Sequence, residues 1–189
     1  MKTITLFQPW ASLVANGSKK YETRSWSASW RGPILIHAAK KMPGNIIFQE
    51  PFYSALKEQH CSDEIGAGIE FPGPCILAIC NLVNCLKIVS RNSECAFLEN
   101  DQCIEGNEFY FGDYTPGRYA WQLENVHQLA KPISAKGMQR IWNWDETPHL
   151  ATVNIYKIGD IKIWTPCSII SGQICDPNEE GAVKGLEVI

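Results

Sequence analysis

The 189-residue sequence contains no apolar run long enough to span a bilayer, and its N-terminus lacks the basic and then apolar pattern of a secretory signal. Together these absences predict a soluble cytoplasmic protein with no membrane partner. Hydrophobic residues make up 45% of the chain, which is enough for one ordinary domain with its own core and a modest appendage.

Among the eight cysteines no C-x-x-C spacing occurs, so the sequence offers no convincing zinc site. We therefore predict neither a metal site nor a cofactor. Without a secretory signal, reduced thiols are expected rather than disulfides. Cys75, Cys80 and Cys85 lie in an apolar run, where thiols behave as small apolar side chains.

A strong charge excess is also missing, since the formal net charge is −3. This value argues against a protein that coats nucleic acid without specificity. The distribution is uneven, however, because residues 1–41 hold seven lysines and arginines against Glu22 alone, a net +6 that leaves −9 for the remainder. This asymmetry indicates an anion-attracting patch near the N-terminus, although a solvated charged face gives the same pattern.

Residues 8–26 predict a short helix that is followed by a glycine turn and a polar strand. Pro9 suits the first turn of a helix, and apolar residues then recur at spacings of three and four, beginning with Trp10. Gly17 supplies the left-handed residue that ends such a helix. Beyond it the side chains alternate with period two, as in a strand.

This alternation places Glu22, Arg24 and Trp26 on one face of the predicted strand and Thr23 on the other. A carboxylate and a guanidinium that lie side by side are poor core material, and with a neighbouring tryptophan they are typical of a pocket wall. The alternative is a surface ion pair, which contributes little to stability and needs no ligand.

Five stretches in this order have a familiar pattern, and they read Q-P-W-A at 8–11, G-x-K-x-x-E-x-R-x-W at 17–26, R-G-P-I-L-I-H-A-A at 31–39, G-P-C-I-L-A-I at 73–79 and G-R-Y-A-W-Q-L-E-N at 117–125. Together with the later Lys136-Gly137 pair they resemble the activating-signal-cointegrator homology (ASCH) domain over roughly residues 3 to 145. The resemblance implies a small β-barrel that is related to the PUA fold of RNA-modifying proteins.

We therefore predict the α+β class, with a small mixed β-barrel and short flanking helices in residues 1–145. Residues 146–189 are expected to form a C-terminal extension, with a hairpin that turns at Gly159-Asp160 and a turn-rich tail. The apolar run at 75–89 predicts a central strand with a bend near Asn81 or Asn84. Residues 90–118 are polar and acidic, and they predict a long loop or an insertion over the barrel.

The favoured function is binding of single-stranded RNA or of a modified nucleobase. Cations can hold phosphates or base edges, a carboxylate can accept from an exocyclic amine, and tryptophan can stack on a base. The sequence names no protein partner. The candidate ligand-binding residues are Lys19, Glu22, Arg24, Trp26, Gln8, Trp10, Lys40, Arg118, Lys136 and Arg140.

An enzyme is the first alternative, because the resemblance also implies an amidohydrolase acting on N4-acetylcytidine. Those relatives use the lysine of G-x-K, a threonine three residues later and a distant glutamate. Here Lys19 matches the lysine, but Glu22 holds the position of the threonine. If the protein is a hydrolase or a ribonuclease, Lys19, Glu22 and His37 are its candidate catalytic residues. A second alternative is an adaptor domain in a larger assembly.

Overall fold

The structure is a computed structural model that describes residues 1–41, 44–60, 71–145, 153–158, 161–166 and 187–188. A mixed sheet dominates it. In chain order its eight strands are β1 (Lys2–Leu6), β2 (Tyr21–Arg24), β3 (Gly32–Ala38), β4 (Cys75–Arg91), β5 (Cys95–Leu98), β6 (Cys103–Glu105), β7 (Tyr119–Ser134) and β8 (Ile141–Asn143).

The strand order is β2-β7-β4-β3-β1-β8, with β5 paired to β4 and β6 to β5. β1 and β3 run parallel, whereas the other pairs of this sheet are antiparallel. Among the described residues, three short α-helices flank the sheet, α1 (Trp10–Ala15), α2 (Phe52–His60) and α3 (Gly106–Tyr110), and a 3₁₀ helix spans Asn45–Phe48. The predicted α+β class is confirmed, with a barrel-like mixed sheet in place of a fully closed barrel.

The predicted helix and glycine turn of residues 8–26 are present. α1 follows Pro9 directly, and Gly17 has a φ of +79°, the left-handed conformation that glycine adopts without steric cost. Its amide donates to the carbonyl oxygen of Val14 at 3.0 Å. α2 begins directly after Pro51, a residue that suits the first turn of a helix.

Side-chain alternation along β1 and β3 separates two apolar clusters on opposite faces of the sheet. Ile4 and Ile36 belong to a cluster that also contains Trp121, and this cluster fills the inside of the barrel-like sheet. Leu35 belongs to a second cluster on the other face, together with Trp142. Both clusters are buried, so the sheet is packed on its two faces.

The two longest strands, β4 and β7, are bent where they pair. Their register shifts between Ile79 and Asn81 and again between Leu82 and Asn84, which confirms the predicted bend. The bends let two long strands wrap around the core instead of running straight past it. β7 is continuous from Tyr119 to Ser134.

The prediction of a long loop at residues 90–118 is wrong. This stretch contains β5, β6 and α3, and an apolar cluster packs them against β4. Ala96, Leu98 and Ile104 supply its buried side chains. The strands are too short for a clear period of two, and they are stabilised by pairing with β4 instead of by local propensity.

In residues 1–145 as described, no backbone pairing joins β2 to β8, the two ends of the strand order. Pairing between β1 and β8 stops at Ile4 and Ile141, so the last residues of β1 have no partner on that side. Arg24 crosses this opening, and its Nη2 donates to the carbonyl oxygen of Thr5 at 2.9 Å. We call the opening between β2 and the β1/β8 edge the seam.

Near the C-terminus, β9 (Val153–Ile158) and β10 (Ile161–Pro166) pair antiparallel, with Ile158 opposite Ile161. β11 (Glu187–Val188) pairs with β9. The predicted turn at Gly159-Asp160 and the predicted turn-rich tail lie outside the described residues. No described helix has the length and apolarity needed to cross a membrane.

Candidate functional site

A cavity of about 940 Å³ opens at the seam. Its walls come from the end of β1, from β2 and the residue pair that follows it, from the end of β3, and from residues 134–140 between β7 and β8. The volume is within the range of small-molecule and cofactor sites. Because four separate segments meet here, the cavity depends on the tertiary fold.

The lining of the cavity is cationic. Among the described lining residues, four cations face one carboxylate, that of Glu22. The cations come from three different segments of the chain, so the charge is concentrated by the fold. An anionic ligand is therefore favoured at this place. The four cationic lining residues are Arg24, Lys40, Lys136 and Arg140.

Three aromatic rings share the cavity with these cations: Phe7, Trp10 and Trp26. Trp26 is fixed by the buried ring of Trp121, whose centroid lies 4.6 Å away at an interplanar angle of 86°. Trp10 meets Phe52 edge-on in the same manner, at 6.2 Å and 87°. Trp10 and Trp26 are therefore held in place before any ligand arrives, whereas Phe7 is 57% exposed.

Glu22 and Arg24 form an ion pair, with 2.9 Å between Oε1 and Nε. From the sequence, a surface ion pair was the alternative to a pocket wall. The pair lines the cavity wall, however, and only 12% and 28% of the two side chains is exposed. Each group orients the other, and Thr5 fixes the guanidinium from the far side of the seam. An acceptor and a donor thus stand next to each other in the cavity.

Lys19 does not line the cavity. Its side chain is 1% exposed, and its Nζ lies 3.8 Å from Glu108 Oε1. Within the described part of the chain this Nζ has no hydrogen-bond partner. Burial lowers the pKa of Lys19, whereas Glu22 and Glu108 oppose that shift. Lys19 therefore acts behind the wall, where its charge offsets two carboxylates.

Glu108, at the start of α3, is a residue that sequence reasoning missed. Its carboxylate accepts from the backbone amides of Lys20 at 2.7 Å and Tyr21 at 3.1 Å, and from the hydroxyl of Tyr114 at 3.2 Å. These contacts tie α3 to the beginning of β2. No sequence signal pointed to it, because its segment was predicted to be a loop.

Gln8 and Arg118 also lie outside the cavity lining. The side chain of Gln8 is buried, accepts from the amide and hydroxyl of Ser12, and donates to the carbonyl oxygen of Pro72. It therefore holds the start of α1. Arg118 forms an ion pair with Asp113 at 3.2 Å and belongs to the opposite side of β2.

Thr23 faces that same opposite side, as the alternation predicted. Its Oγ1 accepts from the amide of Asp113 at 3.0 Å. The hydroxyl is thus engaged away from the cavity, while Glu22 on the next position lines it. The side of β2 that faces the cavity carries a carboxylate where the acetylcytidine hydrolases carry a threonine.

His37 lines the cavity from β3, although the residue is only 1% exposed. Its Nε2 lies 3.0 Å from the carbonyl oxygen of Ala135 and must donate, because a carbonyl can only accept. Nδ1 is then an acceptor, and it has no partner in the described residues. Burial lowers the pKa of His37.

Gly137 packs directly on this ring. A Cβ at position 137 would stand 2.8 Å from Nδ1 and 2.4 Å from the neighbouring ring carbon of His37, so only glycine fits here. Other lining residues that the sequence did not single out are Thr5, Phe7, Ser134 and Met138. Phe7 directly precedes the motif of residues 8–26, and this was the available signal.

The described residues include no group of three or more histidine, cysteine or acidic side chains that could hold a metal ion. Of the eight thiols, Cys75 and Cys80 are buried and free. Burial raises the pKa of both. They serve as apolar side chains of the sheet.

Comparison with known proteins gives the family. The model of the ASCH domain matches residues 4–133, more than half of the chain. The chain belongs to the ASCH domain family. ASCH domains are associated as a family with RNA binding. The match includes the end of β1 together with β2 and β3, which contribute three walls of the cavity, whereas residues 134–140 lie outside it.

Two relatives are Activating signal cointegrator 1 from Mus musculus and from Homo sapiens. Each is 26% identical to this chain over 152 residues, which is 77% of the chain. The aligned part is 22% of each relative, so the chain spans about a fifth of their length. The similarity is thus confined to one region of longer proteins.

His37 makes the stability of the ASCH domain depend on pH. Because burial lowers its pKa below the ordinary value, the unfolded chain takes up a proton first as the pH falls below about 6.5. We expect the free energy of unfolding to fall by up to about 1.4 kcal/mol per pH unit in the window just below that value. Urea unfolding at pH 7.5 and at pH 5.5 measures this loss.

The matched variant is His37→Gln, which keeps an N–H for the carbonyl oxygen of Ala135 but does not titrate. It should lose this part of the pH dependence. An unchanged dependence in the variant would show that His37 is not the responsible group.

Glu108→Ala should destabilise the protein by about 3 kcal/mol, because it removes three hydrogen bonds and leaves the buried charge of Lys19 poorly compensated. Chemical denaturation measures the loss. The control is Glu105→Ala, an exposed carboxylate three residues away, for which we expect a change within about 0.5 kcal/mol. Equal effects of the two variants would contradict the assigned role of Glu108.

Proposed function

We propose that the cavity binds one nucleotide of a single-stranded nucleic acid, with RNA as the favoured ligand. The observation that carries this proposal is the meeting of four cations and three aromatic rings, two of them fixed by ring contacts, in one cavity of about 940 Å³. Single-strand binding proteins combine these two elements, since cations neutralise the backbone and aromatic rings stack on bases.

The two sides of the cavity suit the two parts of a nucleotide. Trp10 and Trp26 offer ring faces or edges for a base, while Lys40 and Lys136 offer charge for a phosphate. Within the wall, Glu22 can accept from an exocyclic amine and Arg24 can donate to the neighbouring ring nitrogen or carbonyl oxygen. Cytosine and adenine carry this donor and acceptor pair side by side.

The choice of RNA is supported by the family, because ASCH domains are associated with RNA binding. We further propose that residues 1–145 are the domain that carries this function and that residues 146–189 are an extension of it. The adaptor alternative is weaker, since the cavity is a more specific feature than any apolar surface of the described residues.

Hydrolysis of a modified nucleoside or of RNA is less well supported than binding. Lys19 and Thr23 lie outside the cavity lining, so the candidate acid–base groups in the lining are Glu22 and His37. Such an enzyme would need Glu22 as a general base, which differs from the threonine mechanism implied by the resemblance. Incubation with N4-acetylcytidine and with RNA tests for either product.

The double variant Lys40→Ala/Lys136→Ala removes two cations that line the cavity. Binding of a fluorescein-labelled single-stranded RNA, followed by fluorescence anisotropy, should weaken about tenfold at low salt. The slope of log affinity against log salt should fall by about 1.4, because each phosphate contact on a single strand contributes about 0.7.

The matched control is Lys57→Ala/Lys87→Ala, which removes two exposed lysines that do not line the cavity. We expect this control to bind RNA as the unchanged protein does. If the two double variants bind equally well, the cavity is not the RNA site.

A further inference from the structure

Contacts between cations and aromatic rings continue beyond the cavity along the barrel. At the cavity, the guanidinium carbon of Arg140 lies 5.9 Å from the centroid of Trp26. Further on, Nζ of Lys2 lies 5.7 Å from the centroid of Trp30. Trp30 is 36% exposed and does not line the cavity, so its ring is available to a ligand that extends outside it.

The cavity and the contact between Lys2 and Trp30 lie at opposite ends of β1. Thr5 lines the cavity, and Lys2 stands three residues earlier on the same strand, about 10 Å away at the rise of an extended strand. β8 runs beside β1 over this distance, from Ile141 opposite Ile4 to Asn143 opposite Lys2. The path from Arg140 to Lys2 is therefore the length of one short strand.

Lys2 shares a face of β1 with Leu6, which also lines the cavity, whereas Thr5 points to the other face. Ile4 and Leu6 belong to the cluster against which Trp26 packs, and Lys2 has the same parity as these two residues. The ring of Trp30 lies over Gly32 at the start of β3, where a Cβ would be 3.7 Å from it. The contact of Trp30 with Lys2 thus lies at the starts of β3 and β1, with Lys2 on the face of β1 that carries Leu6.

The ring of Trp30 is held ready for stacking. Its Nε1 donates to the carbonyl oxygen of Pro33 at 3.2 Å, which fixes the orientation of the ring. Nη1 of Arg31 donates to the carbonyl oxygens of Ala28 and Trp30 at 2.8 Å each, which ties the loop back on itself. The charges of Lys2 and Arg31 stand beside the exposed ring.

We propose that a single strand of nucleic acid, anchored by one nucleotide in the cavity, continues along the seam and stacks a further base on Trp30, while Lys2 neutralises an adjacent phosphate. This inference rests on the proposed function and identifies the ligand class as an oligonucleotide instead of a free nucleotide. Barrels that bind single strands contact about 4–16 nucleotides, so a second contact about 10 Å from the first is within their usual reach.

The experiment compares two double variants by fluorescence anisotropy with two probes, a labelled mixed-sequence RNA of about eight nucleotides and a labelled cytidine monophosphate. The first variant is Lys2→Ala/Trp30→Ala. The control is Tyr53→Ala/Lys57→Ala on α2. There Nζ of Lys57 lies 5.9 Å from the ring centroid of Tyr53, which is 38% exposed, and neither residue lines the cavity.

We expect Lys2→Ala/Trp30→Ala to bind the longer RNA about tenfold more weakly, since stacking on one aromatic ring contributes that much or more. The salt slope should fall by about 0.7 for the lost lysine. Binding of the mononucleotide should be unchanged, and the control variant should match the unchanged protein with both probes. Trp30→Phe, which keeps a ring, should restore most of the affinity.

Three results would overturn the inference. Undiminished binding of the longer RNA by Lys2→Ala/Trp30→Ala, with weakened binding by Lys40→Ala/Lys136→Ala, would remove the second contact and leave the proposed function in place. Equal losses for both probes would show that Trp30 acts through the fold. Failure of the unchanged protein to bind either probe would refute the proposed function as well.

Discussion

The contact between Arg24 and the carbonyl oxygen of Thr5 is the constraint on which the site depends. It crosses the sheet at the point where backbone pairing between the two end strands is missing in residues 1–145 as described. A closed ladder of hydrogen bonds here would leave no opening. A side chain bridges the gap instead, and Glu22 holds that side chain in turn. The cavity exists because the seam is closed by side chains.

Electrostatic compensation supports this arrangement from behind. β2 carries Glu22 into the cavity wall, and the buried Lys19 offsets its charge together with that of Glu108. Glu108 also satisfies the backbone amides where β2 begins. The polar wall is therefore anchored by a buried network, which keeps its donor and acceptor fixed while the cations of residues 134–140 stand on the other side.

Local periodicity predicted which side chains of residues 8–26 share a face, and the cavity receives Glu22, Arg24 and Trp26 as expected. Periodicity predicts the face on which a side chain lies but not how deeply the side chain is buried. Lys19 was therefore placed at the site although it lies behind it, and periodicity gave no indication that Gln8 binds Ser12 and the carbonyl oxygen of Pro72.

Local sequence was informative for some elements of the fold and uninformative for others. The family resemblance implied the barrel-like sheet, and the apolar run at 75–89 predicted the bend of β4. β5, β6 and α3 were not predicted, because their stability comes from pairing and packing with β4 rather than from their own sequence. Glu108 was missed with them, since a residue of a predicted loop gives no reason to expect a buried partner.

Photo-crosslinking tests most directly whether single-stranded RNA binds in the cavity at the seam. A single-stranded RNA that carries 4-thiouridine is irradiated with the full chain, and the crosslinked peptides are identified by mass spectrometry. If RNA binds in the cavity at the seam, we expect crosslinks to the segments that line it, above all to Phe7, Trp10, Trp26 and residues 134–140. Crosslinks confined to α2 or to the β5 and β6 hairpin, with none at the seam, would contradict it.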